Sequence, residues 1–220
     1  SFIIPDNGQS ARRYYIRFDG VQSAFYLWIN GHKVGYSQGS MEPSEFDITS
    51  YVKKGVNDIS VEVYKYSDAS YLEDQDFWRF GGIQRSVTVF STPNVQLRDY
   101  AVRTVAVDSV FKKFELQINP KMRAFNNETG AGYKVKAILS DEKGGDVVLL
   151  TADASDILDI DHKAANMNEW FPQRGRSKFA RMSTIISNPH LWTSETPYLY
   201  NLRLLLVDSL GNVVQQTEQK

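Results

Sequence analysis

Cysteine is absent from the 220 residues, so neither a disulfide-stapled scaffold nor a thiolate metal site can be built, although this absence does not separate cytoplasm from periplasm. No apolar run approaches the roughly 20 residues that a membrane-spanning helix requires, and Ser1 to Ser10 has neither the basic start nor the apolar centre of an export signal. No membrane partner is expected. An excess of one charge is also missing: 25 lysines and arginines meet 26 aspartates and glutamates, with neither sign confined to one end. That balance removes the electrostatic case for a nucleic-acid partner. A 3.6-residue apolar period sustained over ten or more residues is lacking, which excludes a barrel of alternating strands and helices. The phosphate-binding Gly-x-x-x-x-Gly-Lys loop, the dinucleotide fingerprint, the Gly-x-Ser-x-Gly elbow and the His-Glu-x-x-His pair are all missing. The three histidines, His32, His162 and His190, stand far apart in sequence, and each reads as a loop or surface residue.

What is present is alternation. With 42% hydrophobic residues the chain can bury one large or two ordinary cores. Tyr14, Ile16 and Phe18 interleave with Tyr15, Arg17 and Asp19, and similar runs rich in β-branched and aromatic residues recur along the chain. Asn30-Gly31 suits a two-residue type I′ turn and pairs Phe25–Ile29 with Lys33–Tyr36. Lys54-Gly55 before 56–66, Lys143-Gly144-Gly145 before 147–150, and 208–212 between 200–207 and 213–217 supply further turns. Short helical turns are expected only near 44–51 and 156–165. The fold class is all-β, in two domains divided at the polar, proline-containing joint Ser91-Thr92-Pro93-Asn94 after a strand at 87–90. Residues 1–92 form the first, whose opening strand at 2–5 reads as lacking upstream partners. Residues 93–220, with about seven strand candidates, suit an immunoglobulin-like sandwich without the disulfide. A start without methionine and a polar finish suggest a segment of a longer protein.

The chemically richest stretch runs from Ser67 to Ile83, where Glu73, Asp74 and Asp76 crowd beside Phe77, Trp78, Arg79 and a glycine pair. Clustered carboxylates next to aromatics need an arginine, a cation or sugar hydroxyls to compensate them. Flat rings for the C–H side of a pyranose and charged acceptors for its hydroxyls are the parts that recognise carbohydrate. Residue physics alone equally accommodates a plainer arrangement, in which Trp78 plugs the core, Arg79 pairs with one acid and the other acids are solvated. A hydrolytic carboxylate pair within 73–76 is disfavoured. Residues so close in sequence rarely reach the roughly 5–9.5 Å facing geometry of glycosidases.

Four stretches carry a family resemblance. Gly20 to Gln38, containing Phe25-Tyr26-Leu27-Trp28-Ile29-Asn30-Gly31, then Pro43-Ser44-Glu45-Phe46-Asp47-Ile48, then Ser70-Tyr71-Leu72-Glu73-Asp74-Gln75-Asp76-Phe77-Trp78-Arg79, resemble the jelly-roll-like, galactose-binding β-sandwich of glycoside hydrolase family 2 β-galactosidases. Pro189-His190-Leu191-Trp192-Thr193-Ser194-Glu195-Thr196-Pro197-Tyr198-Leu199-Tyr200 is similar to a stretch near the end of that family's immunoglobulin-like second domain. The middle, about 95–186, matches only as a pattern of strands.

The resemblance implies an accessory role. The family's nucleophile and acid/base are glutamates of a (β/α)-barrel that would begin shortly after Lys220, so no catalytic residue is expected in these 220 residues and the chain alone should be inactive. The partners implied are a β-galactoside and that barrel, in a homo-oligomeric parent of bacterial type. Asp76 corresponds to a residue that contacts the galactose 6-hydroxyl and a sodium ion, a sensible pairing because hard cations prefer oxygen ligands. Magnesium is a further candidate, with ligands in the barrel. Glu73, Asp74 and Arg79 would shape the loop and Trp78 would anchor its packing. The stretch 153–177 occupies the position of a family loop that reaches a neighbouring subunit, but has Trp170, Phe171 and Arg174 where well-known members are richer in glycine. A β-glucuronidase or β-mannosidase, or a free-standing carbohydrate-binding module, are the alternatives.

Overall fold

The structure is a computed structural model, and it describes residues 1–5, 12–73, 76, 78–158 and 182–220. Two compact units divide the chain, Ser1–Pro93 and Asn94–Lys220. Both are built of antiparallel strands, in keeping with the all-β expectation.

In the first unit the strands are β1 (Phe2–Ile4), β2 (Arg12–Phe18), β3 (Val21–Gln22), β4 (Ala24–Ile29), β5 (His32–Gln38), β6 (Ser44–Asp47), β7 (Gly55–Asn57), β8 (Ile59–Tyr64), β9 (Gly82–Ile83) and β10 (Val87–Pro93). They assemble as β10-β2-β6, β5-β4-β8 and two short pairs, β1-β7 and β3-β9. Alternation places Ile16 and Phe18 of β2 and Phe25, Leu27 and Ile29 of β4 in one core, each at most 2% exposed. Phe18, Phe25 and Phe46 meet there with ring centroids 4.7 to 6.5 Å apart. The β4–β5 hairpin turns at Asn30 (φ 51°) and Gly31 (φ 80°), the two left-handed residues a type I′ turn requires.

Four details differ from expectation. The opening strand finds its partner downstream within the unit, β1 pairing antiparallel with β7. Residues 44–51 do not form a helical turn: Ser44–Asp47 pairs with β2 and carries Phe46 to the core, and the chain turns only after it. The Asp47 carboxylate accepts from the Thr49 amide and hydroxyl (3.0 and 2.6 Å) and from Arg13, which ends the strand. The run 56–66 is not one strand. It breaks at Asp58, between β7, whose Asn57 pairs with Phe2, and β8: the Asp58 amide donates to the Asn30 side chain, while the fully buried Asn57 side chain donates to the Lys53 and Gly55 carbonyls and accepts from the Lys53 amide and the Asn30 side chain. The strand at 87–90 runs on to Pro93, which pairs with Arg12 at the end of an edge strand, where the proline's missing N–H costs little.

The second unit places β11 (Val95–Ala106), β12 (Lys113–Ala124) and β15 (Met182–Ser187) in one sheet. The other is β14 (Asp146–Asp153), β13 (Lys134–Ser140), β16 (Asn201–Val207) and β17 (Val213–Gln219), giving the three-on-four arrangement of an immunoglobulin-like sandwich. Leu116, Ile118, Met122, Val135, Ala137, Leu204 and Leu206 fill its core. The turns at 141–145 and 208–212 are tied by Asp141 and Asp208, each accepting two backbone amides in the manner of Asx turns. Helical backbone begins at 154 and continues through 158, with Ala154, Ile157 and Leu158 in the core; the rest of the stretch at 156–165 lies outside the described residues.

Candidate functional site

Three buried polar residues, one in a strand and two in the connections beside strands, pin the segment between β8 and β9. The first pin is Ser23, 3% exposed, whose hydroxyl lies 2.6 Å from that of Ser67 and 3.3 Å from that of Ser70. There the chain makes one helical turn, α1 (Ala69–Leu72). It starts where the Ser67 amide donates to the Ser70 hydroxyl (3.0 Å) and the Ser70 amide returns to the Ser67 carbonyl. Ser67 and Ser70 thus satisfy backbone groups that a strand continuing from β8 would have paired.

The second pin is Ser40, 4% exposed, which donates its backbone N–H (3.0 Å) and its hydroxyl to the Glu73 carboxylate. The third is Gln22, 6% exposed, whose Oε1 accepts from the Gln84 side chain (2.7 Å) and the Gly81 amide (3.4 Å). At Gly81 the backbone has φ +74° and a Cβ would stand 3.0 Å from Cγ of Lys65, so glycine alone fits without strain. The pairing of β3 with β9 then returns the chain to the sandwich.

Between these pins the segment is open. Asp76 is exposed. Trp78 is 80% and Phe80 72% exposed, their rings stacked at 6.4 Å and 23°. Tyr71 and Leu72 are 88% and 90% exposed. Arg79 is half-buried and, with Tyr66, Ser67, Ser70 and Tyr71, lines a recess of about 230 Å³.

The sequence-derived residues therefore divide. Glu73 and Arg79 face the unit, Asp76 faces outward, and Asp74, like Gln75 and Phe77, lies outside the described residues. Trp78 does not plug the core of this unit, where Phe18, Phe25 and Phe46 meet; its ring is exposed and stacked on that of Phe80. Ser23, Ser40 and Gln22, which position the segment, were not legible as functional. Their signal is faint: Gln22 ends a strand, Ser23 lies in the bend between β3 and β4, and Ser40 in the turn after β5, where polar residues are ordinary.

No group of three or more His, Asp or Glu residues among the described residues stands close enough to hold a metal. Asp76 can offer one hard oxygen to an alkali cation, so a complete sodium shell needs donors from elsewhere. His32 and His190 are exposed, the latter stacked on Tyr198 at 4.6 Å, while His162 lies outside the described residues. The motif at 189–200 forms the wall of a mostly apolar cavity of about 440 Å³ in the second unit, with Phe114, Leu116, Leu139 and Ile186 opposite. The greater part of the 153–177 stretch, with Trp170, Phe171 and Arg174, is outside the described residues.

The sandwich with an outward, polar-pinned acidic and aromatic loop, followed by an immunoglobulin-like sandwich, is the architecture of accessory modules in large glycoside hydrolases. Comparison makes that specific. Residues 1–93 match the model for the sugar binding domain of glycosyl hydrolases family 2, and residues 95–220 match a second model of glycosyl hydrolases family 2. The chain belongs to glycosyl hydrolase family 2. It is 39% identical over 202 residues to a β-galactosidase of Priestia megaterium, covering 91% of this chain and 18% of the relative. A β-galactosidase of Halalkalibacterium halodurans is 37% identical over 219 residues, covering 100% of this chain and 19% of the relative. The chain thus spans about a fifth of the length of the curated relatives it matches. Among solved structures, a β-glycosidase from Bacteroides vulgatus superposes with a TM-score of 0.73 at 19% identity, covering 99% of this chain and 24% of that one. A β-glucuronidase from Ruminococcus gnavus gives 0.71 at 18% identity, covering 99% and 34%. At that identity the likeness is one of fold.

Proposed function

We propose that this chain is the non-catalytic sugar-site portion of a retaining β-galactosidase, acting on terminal β-D-galactose residues, and that its contribution to chemistry is Asp76. The observation that carries this reading is the exposure at the acidic loop. Trp78, Phe80, Tyr71 and Leu72, all within five positions of the exposed Asp76 in sequence, are each more than 70% exposed, whereas isolated domains keep large apolar patches off their surface. A loop pinned by three buried polar residues and tipped with uncovered aromatics is built to be completed by another body. In this reading that body is the catalytic remainder of the parent, whose length in the relatives leaves ample room for it.

Within such a site, Asp76 accepts a hydrogen bond from the galactose 6-hydroxyl and supplies one oxygen to a sodium ion, while the nucleophile and acid/base come from the barrel. Glu73 acts through Ser40, holding the loop's entry so that the carboxylate three residues later is placed. The β-galactosidase names of the relatives at 37–39% identity favour galactosides over glucuronides. The test is direct. The purified 220-residue chain should show no turnover of a nitrophenyl β-galactoside and only weak galactose binding, since most walls of the site are missing. Hydrolysis by the pure chain would overturn the proposal.

A further inference from the structure

The sheet β5-β4-β8 turns Phe25, Leu27 and Ile29 to the core, which leaves an outer face made by Tyr26 and Trp28 of β4, Tyr36 of β5 and Tyr64 of β8. Tyr26 is the centre. Its ring lies 4.8 Å from Tyr36, 5.9 Å from Trp28 and 6.0 Å from Tyr64, and the Lys33 ammonium sits 3.9 Å above it. Tyr36 and Tyr64, 44% and 42% exposed, flank it. Each has its phenol fixed by a neighbour on its own strand: Tyr36 donates to Gln38 at 2.6 Å and Tyr64 to Glu62 at 2.8 Å. These bonds set the rings and place an amide and a carboxylate at opposite edges of the face, about 10 Å apart across three strands.

This is a composed surface rather than a stray apolar patch. The rings offer π faces, and around them stand a carboxylate acceptor, an amide that both donates and accepts, and an ammonium donor. Beyond their contacts with Tyr64, Tyr36 and Tyr26, these three groups keep donor and acceptor capacity that a partner's apolar side chains would leave unused. A sugar satisfies both sets, laying its C–H side on the rings and its hydroxyls on Glu62, Gln38 and Lys33. The face also adjoins the acidic loop. Asp68, at that loop's start, lies close enough to Tyr36 to act with burial in raising the phenol's pKa above its ordinary value.

We infer that the Tyr26-Trp28-Tyr36-Tyr64 face is a second carbohydrate-binding surface, taking a neutral oligosaccharide beside the Asp76 loop rather than within it. It rests on the proposed galactosidase reading only for the choice of probe. Lactose and a β-1,4-linked galactotriose, titrated into the ¹⁵N-labelled chain, should shift the Trp28 indole signal saturably. The double substitution Tyr36→Ala and Tyr64→Ala should weaken that response roughly tenfold, since two aromatic stacks are worth about 1–3 kcal/mol together; the Phe versions of both should retain it. The Trp78 indole reports the loop separately. A shift of Trp78 with none at Trp28 overturns this inference and leaves the Asp76 reading standing; a shift of Trp28 alone upholds it and leaves the Asp76 reading to kinetics of the full-length parent, whose remaining walls that site needs. In the full-length parent, Lys33 should react with an amine-acylating reagent and be protected by galactotriose. A Lys33 that is unreactive before sugar is added would mean that protein already covers the face, and the inference would fall.

Discussion

The two units solve burial differently. In the second, the core of β12, β13 and β16 is a regular stack of Leu, Ile, Val and Met supplied by alternation, and the ordered turns are tied by local aspartates. In the first, buried polar side chains sit among the apolar ones, and Ser23, Ser40, Gln22 and Asn57 each bind a segment that leaves the strand pattern. Irregular backbone needs partners for the amides and carbonyls that no ladder satisfies. The first unit therefore invests buried hydrogen-bonding groups in shaping irregular backbone, whereas among the described residues of the second only Gln96 and Ser140 are buried polar groups and apolar packing dominates.

This contrast can be broken by substitution. The largest loss should follow Leu204→Ala in the second unit, about 2–5 kcal/mol from lost burial and the cavity left behind, read as an early unfolding transition by chemical denaturation. Asn57→Ala should cost the first unit about 1–3 kcal/mol, because the Lys53 amide and two carbonyls lose a buried partner. Gly81→Ala should cost about 1–2 kcal/mol from left-handed strain, with increased proteolysis between 67 and 83 as its signature; an unchanged cleavage pattern would remove Gly81 from the account of the loop. The smallest effect is one of pH. Burial pushes the Asp47 carboxyl up, but the Thr49 hydroxyl and amide and the Arg13 guanidinium outweigh it and hold the pKa below the ordinary 3.8. A carboxyl lowered on folding stabilises fully above its unfolded value and loses that contribution as pH falls through the lowered folded value. The stability difference between wild type and Asp47→Asn should be constant above pH 3.8 and shrink as the pH falls below it through the lowered folded value.

Much of the architecture was legible because period-two alternation and turn chemistry are local signals. Asn30-Gly31 named its hairpin, and the aspartate-capped turns of the second unit fell where glycine and polar residues cluster. What escaped was nonlocal. Nothing around Asn57 says that its amide will close onto Lys53 and Gly55 and split a strand, and nothing around Ser23 or Ser40 says that each will meet a residue more than 30 positions away. The acidic loop was visible as chemistry but not as geometry. Trp78, which composition alone would send to a core, is exposed and stacked on Phe80.

The central claim is that Asp76 belongs to a sugar site and not to the fold. Asp76→Asn in the full-length parent measures it, through the KM for a nitrophenyl β-galactoside with and without sodium, alongside the melting temperature. An exposed carboxylate that binds substrate and cation predicts a raised KM and a blunted sodium response at an unchanged Tm. Unaltered kinetics in both salts, or a lowered Tm that accounts for the loss, would contradict it.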